Sequence, residues 1–247
     1  MQKNPIGNIV KWFGELDSTN DYATSVAHQN GSHGMVIVSE FQSKGRGQRG
    51  NQWESEAGKN LLFSIVLHPN FLEVKKQFLL SKAVALSLCD VLSGFVNGVS
   101  IKWPNDIYIG NKKVAGILIE HSFSSPYLET TIVGIGLNVN QSKFFKSIPN
   151  PTSLCLELGR KIDVNDLLNS ICSALNKRYA EISLHQDRIS KNYLQNLFRY
   201  DTFYEYRAKN SSFTAKIVGV RDSGELMLQT SDGQVLEFAF KEIEYVL

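Results

Sequence analysis

Residues 35–41 and 60–68 (NLLFSIVLH) are β-rich runs, and between them lies SKGRGQRGNQWES, residues 43–55. A chain built this way must bury the second run in a sheet while leaving a glycine-rich loop at the sheet's end, because an apolar run of that length bounded by turn residues packs as a strand. Gly45, Gly47 and Gly50 lack the Cβ that restricts backbone turning and close approach to a ligand. Arg46 and Arg49 carry planar cationic forks suited to carboxylate or phosphate oxygens, and Trp53 ends the segment. By itself such a segment also fits a basic surface loop, so its meaning depends on the rest of the chain.

The remaining pattern indicates an α+β fold. Ser18 and Asp21 cap a helix running to about residue 28, which places Ser18, Thr19 and Asn20 at a helix N-terminus. Apolar periodicity predicts helices over 74–95 and from Asp163 to about 185, with a shorter one over 188–197. VSIKW, PND, IYI, the Gly110-Asn111 turn and KKVAGILIE read as strand, turn and hairpin over 99–120. Residues 130–137 form a further strand ending in Asn138-Val139-Asn140, and 141–162 read as an irregular connection. Beyond Tyr200, short strands with turns at Ser223-Gly224 and Asp232-Gly233 predict a small β-barrel, giving domains 1–197 and 198–247.

Bulk properties exclude more than they identify. With 26 Lys and Arg against 24 Asp and Glu, the chain lacks the broad basic footprint of a nucleic-acid binder. Cys89, Cys155 and Cys172 are widely spaced and odd in number, arguing against a disulfide framework and for a cytoplasmic setting. No histidine pair has zinc-site spacing, no apolar run is long enough to span a bilayer, and the N-terminus does not read as a signal peptide.

Chemistry concentrates in KWPND and the following hairpin. Lys102, Asn105, Asp106 and Lys113 place two cations, an amide and a carboxylate around one turn, and Gly116 marks a close approach within a strand. Gly134-Ile135-Gly136 does not open a dinucleotide fingerprint, and GxxxxGK[ST] is absent, so neither common phosphate loop is used. Adenylation of a small carboxylic acid fits these residues: bringing a carboxylate to an α-phosphate requires fixed cations, and Arg46, Lys102 and Lys113 can supply them. Glu120 and His121 project to opposite faces of a strand and make a poor dyad.

Together ELDSTNDYA (15–23), FQSKGRGQRGNQW (41–53), KWPNDIYI (102–109), KKVAGILIE (112–120) and GIGLNVN (134–140) resemble the signature segments of biotin protein ligases, in order and spacing. The resemblance implies a mixed β-sheet packed by helices, of the class II synthetase and biotinyl/lipoyl ligase type, with a C-terminal SH3-like barrel. It implies activation of biotin by ATP as biotinyl-5′-AMP, with Mg²⁺, and transfer to a lysine of a biotin carboxyl carrier domain. On matching positions, Ser18, Thr19, Asn20, Gln42, Arg46, Gly47, Gln48, Lys113 and Gly116 would hold biotin. Arg46, Gln48, Arg49, Trp53, Asn105, Lys113, Asn138 and Asn140 would hold the adenylate, and Arg46, Lys102, Asp106 and Lys113 would act in catalysis, Asp106 also orienting Mg²⁺ or the acceptor lysine.

Gln48 and Asn51 stand where one common family form has arginines, which predicts weaker retention of the intermediate. Few residues precede Ser18, so the resemblance implies a short form without a DNA-binding domain; monomer and homodimer both stay open. A lipoate or octanoate ligase or transferase is the nearest rival, and a non-catalytic biotin sensor the rival of another class. The polar Ser18, Thr19 and Gln42 set suits a ureido ring, and Lys113, Arg46 and Asp106 suit phosphate chemistry.

Overall fold

The computed structural model describes residues 4–144, 150–209 and 211–246. In chain order the elements are β1 (Val10–Leu16), α1 (Thr19–Val26), β2 (Val36–Gln42), β3 (Leu61–Leu67), α2 (Phe78–Leu92), β4 (Val99–Lys102), β5 (Asp106–Ile109), β6 (Lys112–Ser124) and β7 (Tyr127–Leu137). Then follow α3 (Leu154–Leu158), α4 (Val164–Leu184), α5 (Gln186–Gln195), β8 (Tyr204–Ala208), β9 (Ser211–Val220), β10 (Leu226–Thr230), β11 (Val235–Phe238) and β12 (Glu244–Tyr245).

Seven strands form a mixed sheet in the order β1-β2-β3-β7-β6-β5-β4, with β1 and β2 parallel and the other neighbours antiparallel. Helices cover both faces, which explains why β3 is buried at every position. Val36, Val38, Leu61, Phe63, Ile65, Leu67, Val133 and Ile135 enter the main core with residues of α2 and α4. Fully burying each such side chain contributes about 1.5–3 kcal/mol. On the other face Ile37, Val66 and Ile132 pack with Ala23 and Val26 of α1 and with Ala27, which caps it. The strand period therefore sends Ser64, Gly134 and Gly136 to the α1 face.

Local signals explain most boundaries. Ser18 Oγ accepts from the Asp21 backbone N–H at the start of α1, and Asp163 accepts from the N–H groups of Asn165 and Asp166 at the start of α4. Three expectations need correction. The helix expected over 74–95 is shorter: 74–76 form a 3₁₀ turn, and α2 runs from Phe78 to Leu92. The connection read as irregular contains α3, capped by the Ser153 hydroxyl accepting from the Leu156 N–H, while residues 145–149 lie outside the described residues. Strand β1 was not foreseen, because VKWFGEL alternates too weakly to mark an edge strand.

The C-terminal strands form an antiparallel sheet in the order β11-β10-β9-β8-β12. Among the described residues no ladder joins β11 to β12, and this small antiparallel unit stands where the SH3-like domain was expected. It docks on the larger unit through the Trp103 indole, whose Nε1 donates to the Gly224 carbonyl at 2.9 Å, and through the Phe240 ring beside Trp103. No helix among the described residues is long and apolar enough to cross a membrane.

Candidate active site

A cavity of about 790 Å³ opens on the α1 side of the large sheet. Its walls include Ser18, Thr19, Asn20, Gln42, Arg46, Gly47, Gln48, Trp53, Lys102, Asn105, Asp106, Lys113, Gly116 and Asn138. The structure thus brings together residues from five separate sequence segments. Lys241 and Ile243, from the connection between β11 and β12, and Glu244 and Tyr245 of β12 also line it.

At one end is a neutral polar cluster. Gln42 Oε1 accepts from the Thr19 backbone N–H at 2.6 Å and from the Thr19 hydroxyl at 3.0 Å. Ser64 Oγ lies 2.7 Å from Thr19 Oγ1 and 2.6 Å from Asn20 Oδ1. These hydroxyl and amide groups can present both donors and acceptors to a bound group. Ser64 escaped the sequence reading; its signal is a lone hydroxyl at an α1-face position of an otherwise apolar strand.

The middle of the cavity has a glycine floor. A methyl on Gly116 would lie 2.8 Å from Trp53 Cζ3, and one on Gly136 would lie 2.7 Å from Trp53 Nε1. Only glycine admits the indole this close. The Trp53 Nε1–H is buried and has no hydrogen-bond partner among the described residues. The loop carrying Trp53 closes on itself: Trp53 N–H donates to the Gly45 carbonyl at 2.9 Å, Gly47 N–H to the Asn51 carbonyl at 2.7 Å, and Gly50 takes φ +85°. The Arg49 side chain lies outside the described part.

The charged end depends on an irregularity in the hairpin. Asp106 pairs with Gly116 and Ile107 with Ala115, but Tyr108 pairs with Lys113, so Val114 is an extra residue in β6. Without this bulge, Lys113 and Gly116 would fall on opposite faces of the strand; with it, both line the cavity. Lys113 Nζ sits 2.7 Å from Asp106 Oδ1 and 5.4 Å from the centre of the Trp53 ring. Lys102 donates to the Tyr108 hydroxyl at 3.1 Å and lies between the Tyr108 and Tyr245 rings, 5.1 and 5.2 Å from their centres. Burial holds its ammonium below the ordinary lysine pKa, with neighbouring Asp106 opposing the shift.

Several expected residues are engaged differently. Asn105 Nδ2 donates to the Ile117 carbonyl at 2.7 Å, so its amide fixes the PND turn against β6 while still facing the cavity. Asn138 Nδ2 donates to the Thr152 carbonyl at 3.0 Å. Asn140 is absent from the cavity wall: its amide donates to the Ile162 carbonyl at 2.8 Å and accepts from the Ile162 N–H at 2.9 Å. Arg46, expected to face phosphate, directs its guanidinium at Glu120 and Asp21. The separation of Glu120 from His121 holds, since His121 Nδ1 lies 2.8 Å from Thr131 Oγ1 and away from Arg46's carboxylates. For a metal, Asp106 offers one carboxylate, and no cluster of three or more His, Cys, Asp or Glu ligands occurs among the described residues.

Comparison with known proteins gives this arrangement a context. The chain is 32% identical over 229 residues to the bifunctional ligase/repressor BirA of Bacillus subtilis, covering 88% of this chain and 68% of that protein. It is 30% identical over 226 residues to the biotin–[acetyl-CoA-carboxylase] ligase of Paracoccus denitrificans, covering 88% and 93%. The structure of the Aquifex aeolicus biotin protein ligase in complex with biotin and ATP superposes with a TM-score of 0.79 at 27% identity, covering 96% of this chain and 99% of that one. The model of the Biotin/lipoate A/B protein ligase family matches residues 12–138, and this chain belongs to that family.

Proposed function

We propose that this chain is a biotin–[biotin carboxyl carrier protein] ligase, which joins biotin to ATP and passes the biotinyl group to a lysine of a carrier domain. The observation that carries this reading is the cavity itself: a neutral hydroxyl and amide cluster at one end, a glycine floor, and Lys113 with Asp106 at the other. A ligand with a ureido ring and a carboxylate has complementary ends. The biotin-ligase relatives and the Aquifex structure bearing biotin and ATP support the same assignment.

In the first step a carboxylate oxygen of biotin attacks the α-phosphorus of ATP and pyrophosphate leaves. In the second, the carrier amine attacks the acyl carbon and AMP leaves. Thr19, Asn20 and Gln42, with Ser18 beside them, hold the ureido end; Gly116 admits the ring system. Lys113 offsets charge where carboxylate and phosphate meet, and Lys102 faces the phosphates from the buried side. Gly47 and Gln48 of the loop, with Asn105, Asn138 and Trp53, enclose the adenylate. Magnesium would arrive with the ATP phosphates, for which one carboxylate such as Asp106 suffices, because Mg²⁺ keeps most of its water and phosphate ligands.

Calorimetry with biotin and with lipoate tests the substrate. Biotin binding at micromolar or tighter affinity with no lipoate heat is expected; the reverse preference assigns the chain to the lipoate branch of its family.

A further inference from the structure

Arg46 ties the glycine loop to two elements outside it. Its Nη1 donates to Glu120 Oε1 at 2.9 Å and its Nη2 to Glu120 Oε2 at 2.8 Å, a two-pronged pairing, while Nη2 also lies 2.8 Å from Asp21 Oδ1. Glu120 is on β6 and Asp21 on the first turn of α1. A guanidinium used in this way on two carboxylates has little left for a phosphate. Glu120 is in turn fixed by Asn20, whose Nδ2 donates to Glu120 Oε2 at 2.7 Å and whose Oδ1 reaches Ser64. Asn20 itself fits against the sheet because position 134 is glycine. An unbroken chain of polar contacts thus runs from Gln42 through Thr19, Ser64, Asn20 and Glu120 to Arg46.

We propose that Glu120 and Asp21 are the keeper of a latch whose bolt is Arg46, and that this latch sets how long the glycine loop stays shut over the cavity. Both partners of the Arg46–Glu120 pair are 39% exposed. A pair so placed is screened by solvent and contributes modestly, which suits a closure that must open each turnover to admit substrates and the carrier lysine. The chain through Asn20 lets a ligand at the Thr19 end steady Glu120, so occupancy of the cavity favours closure. Glu120 and Asp21 are positioning residues: neither touches the reacting atoms. The proposal rests on the ligase reading only for what the loop retains.

The test is Glu120→Gln, which keeps side-chain volume and the Asn20 contact but removes the charge. Chymotryptic cleavage after Trp53 in the ligand-free protein reports loop opening, and escape of labelled biotinyl-AMP reports retention. Glu120→Gln is expected to speed both about three- to fivefold, equivalent to about 0.7–1 kcal/mol. Raising NaCl from about 0.05 to about 0.5 M is expected to speed cleavage of the native protein more than that of Glu120→Gln, because the variant keeps only the Arg46–Asp21 ion pair to be screened. A loop held by packing alone would show no such salt dependence, and cleavage of folded Glu120→Gln at the native rate would overturn the latch. If Glu120→Gln does not fold, Asp21→Asn at the exposed partner decides, with cleavage about threefold faster expected and an unchanged rate overturning the proposal. A native protein that forms no adenylate removes the ligase reading, while the cleavage measurement still decides the latch.

Discussion

Lys113 and Asp106 meet at 2.7 Å because a bulge at Val114 turns Lys113 onto the same face as Gly116. The carboxylate fixes the ammonium at the point where two anions must approach. Asp106→Asn should therefore lower biotin-dependent ATP–pyrophosphate exchange through kcat, by about ten- to a hundredfold, with a small change in the Tm. A loss confined to the KM for biotin would place Asp106 in ground-state binding.

Gly136→Ala brings a methyl to 2.7 Å from Trp53 Nε1 and 2.8 Å from Trp53 Cδ2. Overpacking of this kind costs about 1–3 kcal/mol or forces the indole to move. Weaker biotin binding by calorimetry and altered Trp53 fluorescence are expected, and adding Trp53→Leu should recover much of the stability lost. Unaltered fluorescence and affinity would mean that the indole leaves this floor when the ligand binds.

Gln48 lies in the 3₁₀ turn of the glycine loop and lines the cavity. Gln48→Arg adds a cation over the adenylate and should slow release of labelled biotinyl-AMP about three- to tenfold, in line with a charge-assisted hydrogen bond at a half-exposed site. Unchanged release would show that the loop's cation count does not govern retention.

Burial pushes the His121 imidazole down to about 4 from 6.5. The unfolded chain takes up this proton below about 6.5 and the folded chain only near 4, so stability is fully present above 6.5 and falls as the pH drops toward 4. Urea unfolding at pH 7 and pH 4.5 should show the native protein losing about 1–2 kcal/mol more than His121→Gln. Equal losses would mean that the imidazole charges inside the folded protein at little cost.

The sequence made the strand–loop–strand unit, the Gly110-Asn111 hairpin and both caps legible because each rests on local turn or capping chemistry. It concealed β1, whose place at the sheet edge is set by pairing with β2 and not by its own pattern. In the site, the family segments brought Thr19, Gln42, Lys113 and Gly116 to one cavity as expected. Other features required the tertiary structure. Arg46 is as cationic as expected, yet its partners come from α1 and β6, and nothing near it in sequence indicates carboxylates. Asn140 follows Asn138 by two residues, but the chain turns after β7 and sends its amide to Ile162. The approach of Lys241 and Tyr245 to the cavity depends on docking of the second sheet, which no local signal encodes.

The central claim is that Lys113 manages charge in the joining of biotin to ATP. Biotin-dependent exchange of labelled pyrophosphate into ATP, with Mg²⁺ present, measures that step directly. The native protein should catalyse exchange that requires biotin, and folded Lys113→Ala should lose at least about a hundredfold. Absence of exchange from the folded native protein, or exchange by Lys113→Ala at the native rate, would contradict it.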